Sequence, residues 1–308
     1  MEEKLELNSK DTKEYKIILY YIYTNIENPD EYREVQFNFC QSHGLLGRII
    51  LGSEGINGTL AGKTEDIDSY IEFMQADPRF KDIVFKSDYV DYIPFPKLRV
   101  RSREEIVTLQ ADVEIDARVD SAKYITPEEL NKLLSENDDL LLFDTRNNYE
   151  SKIGHFKDAL LADIENFREF PDFVKKLPKE YKNKKIVTYC TGGIRCEKAS
   201  SYLIKNGFND VYQLEGGIVT YAKQFDKGFL GKCYVFDRRI SVAFKEDFEK
   251  LANCYKCGIA ESEYINCSNK ACNKMLIICS DCNSSLGNYC KDNCLENTSA
   301  NAKTNQED

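Results

Sequence analysis

KKIVTYCTGGIRCEKASSYL, residues 184–203, sets a short apolar run against a cysteine, a glycine pair and a stretch of helix formers. A run this short, bounded by turn residues, reads as a buried strand, and the residues after the glycine pair read as a helix. The surrounding chain repeats the alternation from Tyr124: ITPEELNKLL starts a helix at Thr126-Pro127, DLLLFD is a strand, and a helix lies near 165–177. KKIVTYC, EKASSYLIKNG and VYQL complete it. Buried strands alternating with helices predict an α/β unit, a parallel sheet with helices on both faces. The loops at the carboxyl ends of such strands carry functional groups, and both Asp144-Thr145-Arg146 and Cys190 fall there.

A cysteine between a strand end and a helix start faces backbone N–H groups and the positive end of the helix dipole. Gly192 and Gly193 allow the backbone to curl so that several N–H groups point inward, and Arg195 adds a positive charge. These features lower a thiol pKa and stabilise a thiolate or a persulfide. The competing reading is a buried structural cysteine beside a tight turn, and the glycines and the arginine together favour the functional one. Cys196, just after Arg195, reads as a small core residue of the first helical turn, with a resolving thiol for Cys190 as the alternative.

The loop Cys190-Thr191-Gly192-Gly193-Ile194-Arg195 resembles the active-site loop of the rhodanese family. Asp144-x-Arg146, Glu150 and Gly154-His155 resemble the family's D-x-R…E…G-H segment. LEGGIVTY at 214–221 resembles its L-x-G-G-x-x-x-W stretch, with Tyr221 in place of the tryptophan. Four residues separate Cys190 from Arg195, as in sulfur-carrying members, whereas the related phosphatases have five. The resemblance covers about 124–230 and makes Asp144 and Arg146 supporting residues.

Upstream, KIILYYIYTNI reads as a strand, NPDEYREVQFNFCQSHG as a helix opened by Asn28-Pro29-Asp30 and closed by Gly44, and GRIILGSEGINGTLAG as a strand with a turn at Asn57-Gly58. TEDIDSYIEFMQADPRF has helical spacing at Ile67, Ile71 and Met74, with Thr64 as N-cap, and two strands come after it. That order predicts a ferredoxin-like α+β unit. In its last strand Lys97, Arg99, Arg101 and Arg103 recur at steps of two, which places four cations on one face and Leu98 and Val100 on the other. Such a ridge suits the phosphates of a nucleic acid; an ordinary solvated face, offset by Glu104 and Glu105, is the alternative.

Downstream, eight cysteines form four close pairs: Cys254/Cys257, Cys267/Cys272, Cys279/Cys282 and Cys290/Cys294. These suit two tetrahedral Zn²⁺ sites of four thiolates each, interleaved or not, with a structural role because no coordination position stays open. The stretch is too small and polar to bury much core, so metal would supply folding free energy. Disulfides and an iron–sulfur cluster fit the compartment and the spacing less well. The chain of 308 residues is 42% hydrophobic and 31% charged, as in globular protein. It has a polar, acidic start and no apolar stretch of membrane-spanning length, which predicts a cytoplasmic protein without membrane contact. Its net charge of −10 argues mildly against nucleic acid, although local cation patches override overall charge. A facial-triad iron site would need both histidines, His43 and His155, and nothing in the sequence suggests that they meet; no G-x-G-x-x-G flavin or nicotinamide fingerprint occurs.

The predicted organisation is a polar segment at 1–15, a ferredoxin-like domain at 16–110, a linker at 111–123, a rhodanese-like domain at 124–232, a zinc-binding region at 233–295 and a disordered tail at 296–308. EGINGTLAG in the first unit together with CTGGIRCEKAS in the second resembles the rhodanese-like tRNA uridine-34 hydroxylases across nearly the whole chain. The resemblance implies an oxidoreductase that uses dioxygen as co-substrate to convert the wobble uridine of tRNA to 5-hydroxyuridine, with Cys190 as catalytic residue, through a persulfide or otherwise. The residues alone support an activated cysteine that carries sulfur or attacks an electrophile. A sulfurtransferase and a non-enzymatic zinc-dependent RNA-binding module are the rival readings.

Overall fold

The computed structural model describes residues 14–136, 139–225, 227–290 and 294, so the expected disordered tail and nearly all of the N-terminal polar segment lie outside the described residues. The chain opens with β1 (Tyr15–Tyr23) and α1 (Pro29–Ser42), whose start has Pro29 in its first turn and Asp30 and Glu31 at the positive end of the dipole. Gly44, at φ +63°, ends that helix in the left-handed conformation. Next come β2 (Leu46–Gly52), β3 (Gly55–Lys63), α2 (Thr64–Gln75), β4 (Val84–Val90) and β5 (Leu98–Ser102). The sheet order β4-β1-β3-β2-β5 is the ferredoxin-like arrangement with β5 added parallel to β2 at one edge. Alternation along β1 decides the two faces. Ile18 and Tyr20 join Ile49, Leu51, Leu60, Ile67, Tyr70 and Met74 in the core beneath the helices, and Leu19 and Tyr21 point to the helix-free face.

Two local expectations give way to the structure. The segment 46–63 is a hairpin rather than one strand, and its turn is Ser53-Glu54, closed by the Gly52–Gly55 pair. Asn57 and Gly58 lie inside β3 opposite Tyr21 and Tyr20. Gly58 answers a packing need, because a Cβ there would run into the Tyr20 ring. Thr64 is the first helical residue instead of the N-cap, which is Lys63, and the Thr64 hydroxyl donates to the Glu14 carbonyl at 3.3 Å.

A short helix α3 (Ala117–Asp120) leads into β6 (Lys123–Ile125), α4 (Pro127–Glu136), β7 (Leu140–Asp144), α5 (Asn148–Ser151), β8 (Gly154–Phe156) and β9 (Leu160–Leu161). The chain continues through a 3-10 turn at Phe167–Glu169 into α6 (Phe170–Lys175), then β10 (Lys185–Tyr189), α7 (Ile194–Lys205), β11 (Asp210–Leu214), α8 (Gly217–Gln224) and β12 (Phe229–Gly231). The five-stranded sheet runs β6-β11-β10-β7-β9 with every pairing parallel. Its faces bury separate cores. Ile186 and Phe143 pack with Phe170, Ala199 and Leu203 of α6 and α7, while Val187 and Leu142 pack with Leu130 of α4 and Ile218 and Tyr221 of α8. The approach at 107–122 is held against the first of these faces: Leu109 and Ala122 enter that core and the Tyr202 hydroxyl donates to Asp112 at 2.9 Å.

The cysteine-rich end consists of two-residue and three-residue strand pairs and α9 (Ser280–Leu286). Its buried clusters are small, Ile153 with Ala252, Tyr264 and Ile277, and Cys254 with Ile278 and Cys279. Among the described residues no helix is long and apolar enough to cross a membrane.

Candidate active site and cysteine clusters

Cys190 follows β10 at the carboxyl edge of the parallel sheet and is fully buried. Gly193 sits at φ +101°, a conformation that glycine adopts without strain, and turns its N–H onto the Cys190 sulfur at 3.1 Å. Burial alone would push the thiol up. A hydrogen bond from Cys196, the charge of Arg195 and the N–H groups of Arg195 and Gly193 outweigh it and bring Cys190 down to about 5. Cys196 itself is pushed up by burial and by the neighbouring Cys190 charge, and its sulfur lies 3.9 Å from the Thr145 hydroxyl. Cys196 is fully buried in the first turn of α7, next to Cys190.

Arg195 is fixed by a two-pronged ion pair with buried Glu150, at 2.5 and 2.7 Å, and the Thr191 hydroxyl reaches Glu150 at 3.4 Å. Glu150 is held by α5, where its carboxylate accepts from the Asn147 N–H at 3.2 Å in a capping box. Asp144 and Arg146 do not line the cavity beside Cys190. Both are fully buried; Arg146 clamps Asp144 and donates to the Gly154 carbonyl at 2.6 Å, tying β7 to β8. His155 has no such role, and its Nδ1 lies 2.8 Å from the Ser151 carbonyl. Gly217 lets the LEGG turn press on the loop, since a Cβ would stand 2.5 Å from the Cys190 carbonyl oxygen, and Ile218 N–H donates to that oxygen at 3.0 Å.

The helix-free face of the N-terminal sheet lies over this loop. The Lys86 ammonium donates to the Gly192 carbonyl at 2.7 Å, and the Tyr23 hydroxyl to the Ile194 carbonyl at 3.4 Å. A Cβ on Gly192 or Gly193 would stand 2.8 Å from Leu19 or from the Tyr21 hydroxyl, so both glycines serve the approach of the other domain as well as the curl. Glu197 accepts from Tyr21 at 3.1 Å, Tyr124 at 2.5 Å and Gln213 at 2.9 Å. Lys198 is buried between Glu54, at 2.8 Å, and Glu105, at 2.6 Å. Glu54 stands in the β2–β3 turn just ahead of GINGTLAG, so that ion pair is the physical link between the two sequence motifs. Between sheet and loop runs a cleft of about 240 Å³ lined by Cys190, Arg195, Arg48, Asn57, Tyr149 and Phe236 among others.

Lys97, Arg99, Arg101 and Arg103 are all exposed. Arg99 and Arg101 pair with Arg48 and Ile50 across β5 and β2, which puts them on the same face as the cleft-lining Arg48. Sequence reading missed Arg48, Lys86, Tyr21 and Glu197. Arg48 shows as the exposed step of an alternating β2 only once the hairpin turn is placed at Ser53-Glu54.

The eight paired cysteines gather into two sets, Cys254/Cys257/Cys279/Cys282 and Cys267/Cys272/Cys290/Cys294, with the ligand atoms of each set within 4.8 Å of one another. The first and third pairs combine, as do the second and fourth, so the sites interleave. Tetrahedral Zn²⁺ with sulfur at about 2.3 Å places its ligands about 3.8 Å apart. Cys257 and Cys279 stand 3.7 Å apart and Cys272 and Cys290 3.6 Å, so the donor set fits a thiolate-bound metal ion.

A parallel α/β sheet of this order, with a buried thiolate cradled by backbone N–H groups and an arginine, defines a rhodanese-type domain. Residues 126–224 match the rhodanese-like domain, 15–106 the UPF0176 acylphosphatase like domain and 230–295 the rhodanase C-terminal family. The tRNA uridine(34) hydroxylase of Staphylococcus carnosus (strain TM300) is 47% identical over 86% of this chain and 84% of its own. That of Cytophaga hutchinsonii is 44% identical over 92% of this chain and 90% of its own. The chain belongs to the tRNA uridine(34) hydroxylase family. A crystal structure of a rhodanese-like domain protein from Staphylococcus aureus is 31% identical over 35% of this chain and 95% of its own, with a TM-score of 0.29.

Proposed function

We propose that this chain hydroxylates uridine 34 of tRNA to 5-hydroxyuridine, with Cys190 as the catalytic residue and dioxygen as the oxygen source. The observation that carries the reading is a buried cysteine whose sulfur accepts from the Gly193 N–H, on the wall of a cleft of about 240 Å³ that Arg195 also lines. In this reading the Cys190 sulfur adds to C6 of uracil and raises electron density at C5, where oxygen enters. Loss of the C5 proton and departure of the thiolate restore the ring. The second oxygen atom leaves as water, which takes two electrons and two protons from an external reductant. The Arg195 charge and the N–H groups of Gly193 and Arg195 stabilise the thiolate before and after the addition. Asp144 and Arg146 hold the strand end beneath them. Lys97, Arg99, Arg101 and Arg103 contact the RNA backbone, a role supported by their exposure beside Arg48.

The two four-cysteine sets would hold one Zn²⁺ each, and a four-thiolate site supplies structure rather than a reactive position. Nucleoside mass spectrometry of tRNA from cells carrying the wild-type chain, no chain, or Cys190→Ser is the test, with ¹⁸O₂ supplied to trace the oxygen. The expected result is labelled 5-hydroxyuridine with the wild type alone. Equal product from the serine variant would remove Cys190 from the chemistry, and unlabelled product would remove dioxygen as the source.

A further inference from the structure

Tyr149 lines two cavities. One is the Cys190 cleft; the other is a groove of about 830 Å³ between α5 and the cysteine-rich end. One wall of that groove is Tyr149, Ser151 and Lys152, and the other is Asn253, Tyr255, Tyr264 and the strand Met275–Ile277 with Lys274 beside it. Its volume lies at the upper end of ligand clefts, well beyond what one base needs. Lys152 and Lys274 are exposed, and Tyr255 keeps 46% of its surface open with its hydroxyl turned to the Cys290 carbonyl at 2.7 Å. Glu165 on the rim accepts from Asn148 at 3.1 Å. An open aromatic ring in one groove with two cations, beside the cleft at Cys190, is what single-stranded RNA uses: a base stacks on the ring and phosphates meet the cations. An enzyme that extracts one base also needs contacts to the nucleotides on either side of it.

We propose that this groove is a second nucleotide subsite, which holds the single-stranded RNA flanking the target uridine, with a base on Tyr255 and phosphates on Lys152 and Lys274. The proposal rests on the reading of tRNA as substrate. It gives the cysteine-rich end a task in substrate binding, because the strand that forms one wall belongs to the metal-held region. The target base then enters the Cys190 cleft past Tyr149 while its neighbour stays outside.

The test uses the full chain with its metal and a fluorescein-labelled anticodon stem-loop RNA bearing uridine at the wobble position. Affinity is read by anisotropy across a salt series, beside KM and kcat for hydroxylation. Lys152→Glu combined with Lys274→Glu should weaken binding roughly tenfold or more and flatten the salt slope by roughly one to two. Tyr255→Leu should weaken it about fivefold with the slope unchanged. KM should rise in parallel with kcat within about twofold, as expected when ground-state and transition-state binding fall together. Lys132→Glu, on α4 away from the groove, is the control and should change nothing. If the lysine reversals and Tyr255→Leu leave affinity and slope unchanged while the protein stays folded, the groove is not an RNA subsite. If the wild type binds RNA with these dependences but makes no 5-hydroxyuridine, the subsite stands and the hydroxylase reading falls.

Discussion

The chain uses cysteine in two opposite ways, and the contrast lies in what surrounds the sulfur. At Cys190 one thiolate is stabilised by groups that the fold has already placed: the N–H of Gly193, the Arg195–Glu150 pair, and the Cys196 thiol. The turn before α8, through the Ile218 and Val219 N–H groups, and the N-terminal sheet, through Lys86, both hold that loop. At the carboxyl end eight cysteines are gathered by short strands with few buried apolar residues to hold them. Four thiolates in one place repel, even with the start of α9 at Cys279 beside the first set. The first region is preorganised by packing; the second has the donor sets for two metal ions and little core of its own. A cysteine-rich stretch and a reactive cysteine are therefore told apart by whether folding precedes the sulfur chemistry or depends on it.

The largest effect expected is on the second region. Stripping metal with a strong chelator, or Cys279→Ser, should abolish amide-exchange protection over 254–290 and leave that over 15–224, since a structural zinc site contributes roughly 10 kcal/mol or more of apparent folding free energy. Full protection in metal-free protein would show that packing alone gathers the thiols and would collapse the contrast.

A smaller effect is expected at the preorganised loop. Gly193→Ala puts a side chain at φ +101° and against the Tyr21 hydroxyl, so urea unfolding should report a loss of about 1–3 kcal/mol. An unchanged midpoint would mean the loop relaxes freely and is not held by the other domain.

The smallest effect concerns protons. Cys190 titrates at about 5 in the folded chain, against about 8.5 in an unfolded one. Its folded pKa is depressed, so its contribution to stability is complete above the unfolded value and is lost as pH falls toward 5. The difference in ultraviolet thiolate absorbance between wild type and Cys190→Ser should follow the folded midpoint. Cys196→Ala removes one donor to a charged group, worth about 1.5 kcal/mol, and should raise that midpoint by about one pH unit. Most Cys190 would stay ionised at neutral pH, so activity should survive. A midpoint that does not move would return Cys196 to a packing role.

How much of the molecule is legible in its sequence depends on the range over which each signal acts. The strand-Cys-loop-helix order and the α/β alternation are plain at 184–203, because backbone propensity and burial period are local. The paired cysteine spacings are equally plain, since thiolate chemistry narrows the ligand choices. The hairpin at 46–63 escapes a local reading because Asn57-Gly58 has the chemistry of a turn. The glycine instead makes room for Tyr20 from another strand, which no local window contains. That error hides Arg48, whose outward step on β2 depends on where the strand ends. Lys86, Tyr21 and Glu197 carry no local mark, and each gains its place only when one domain's sheet covers the other domain's loop. The pairing of first with third and second with fourth cysteine pairs is undetermined in the sequence for the same reason. The sequence by itself determined the α/β alternation, the Cys-to-Arg loop after its strand and the pairing of the thiols in sequence, because those follow from bonded neighbours and side-chain properties. Only the tertiary structure decided which distant groups surround Cys190 and which thiols stand together, because those are contacts between residues that the chain order keeps apart.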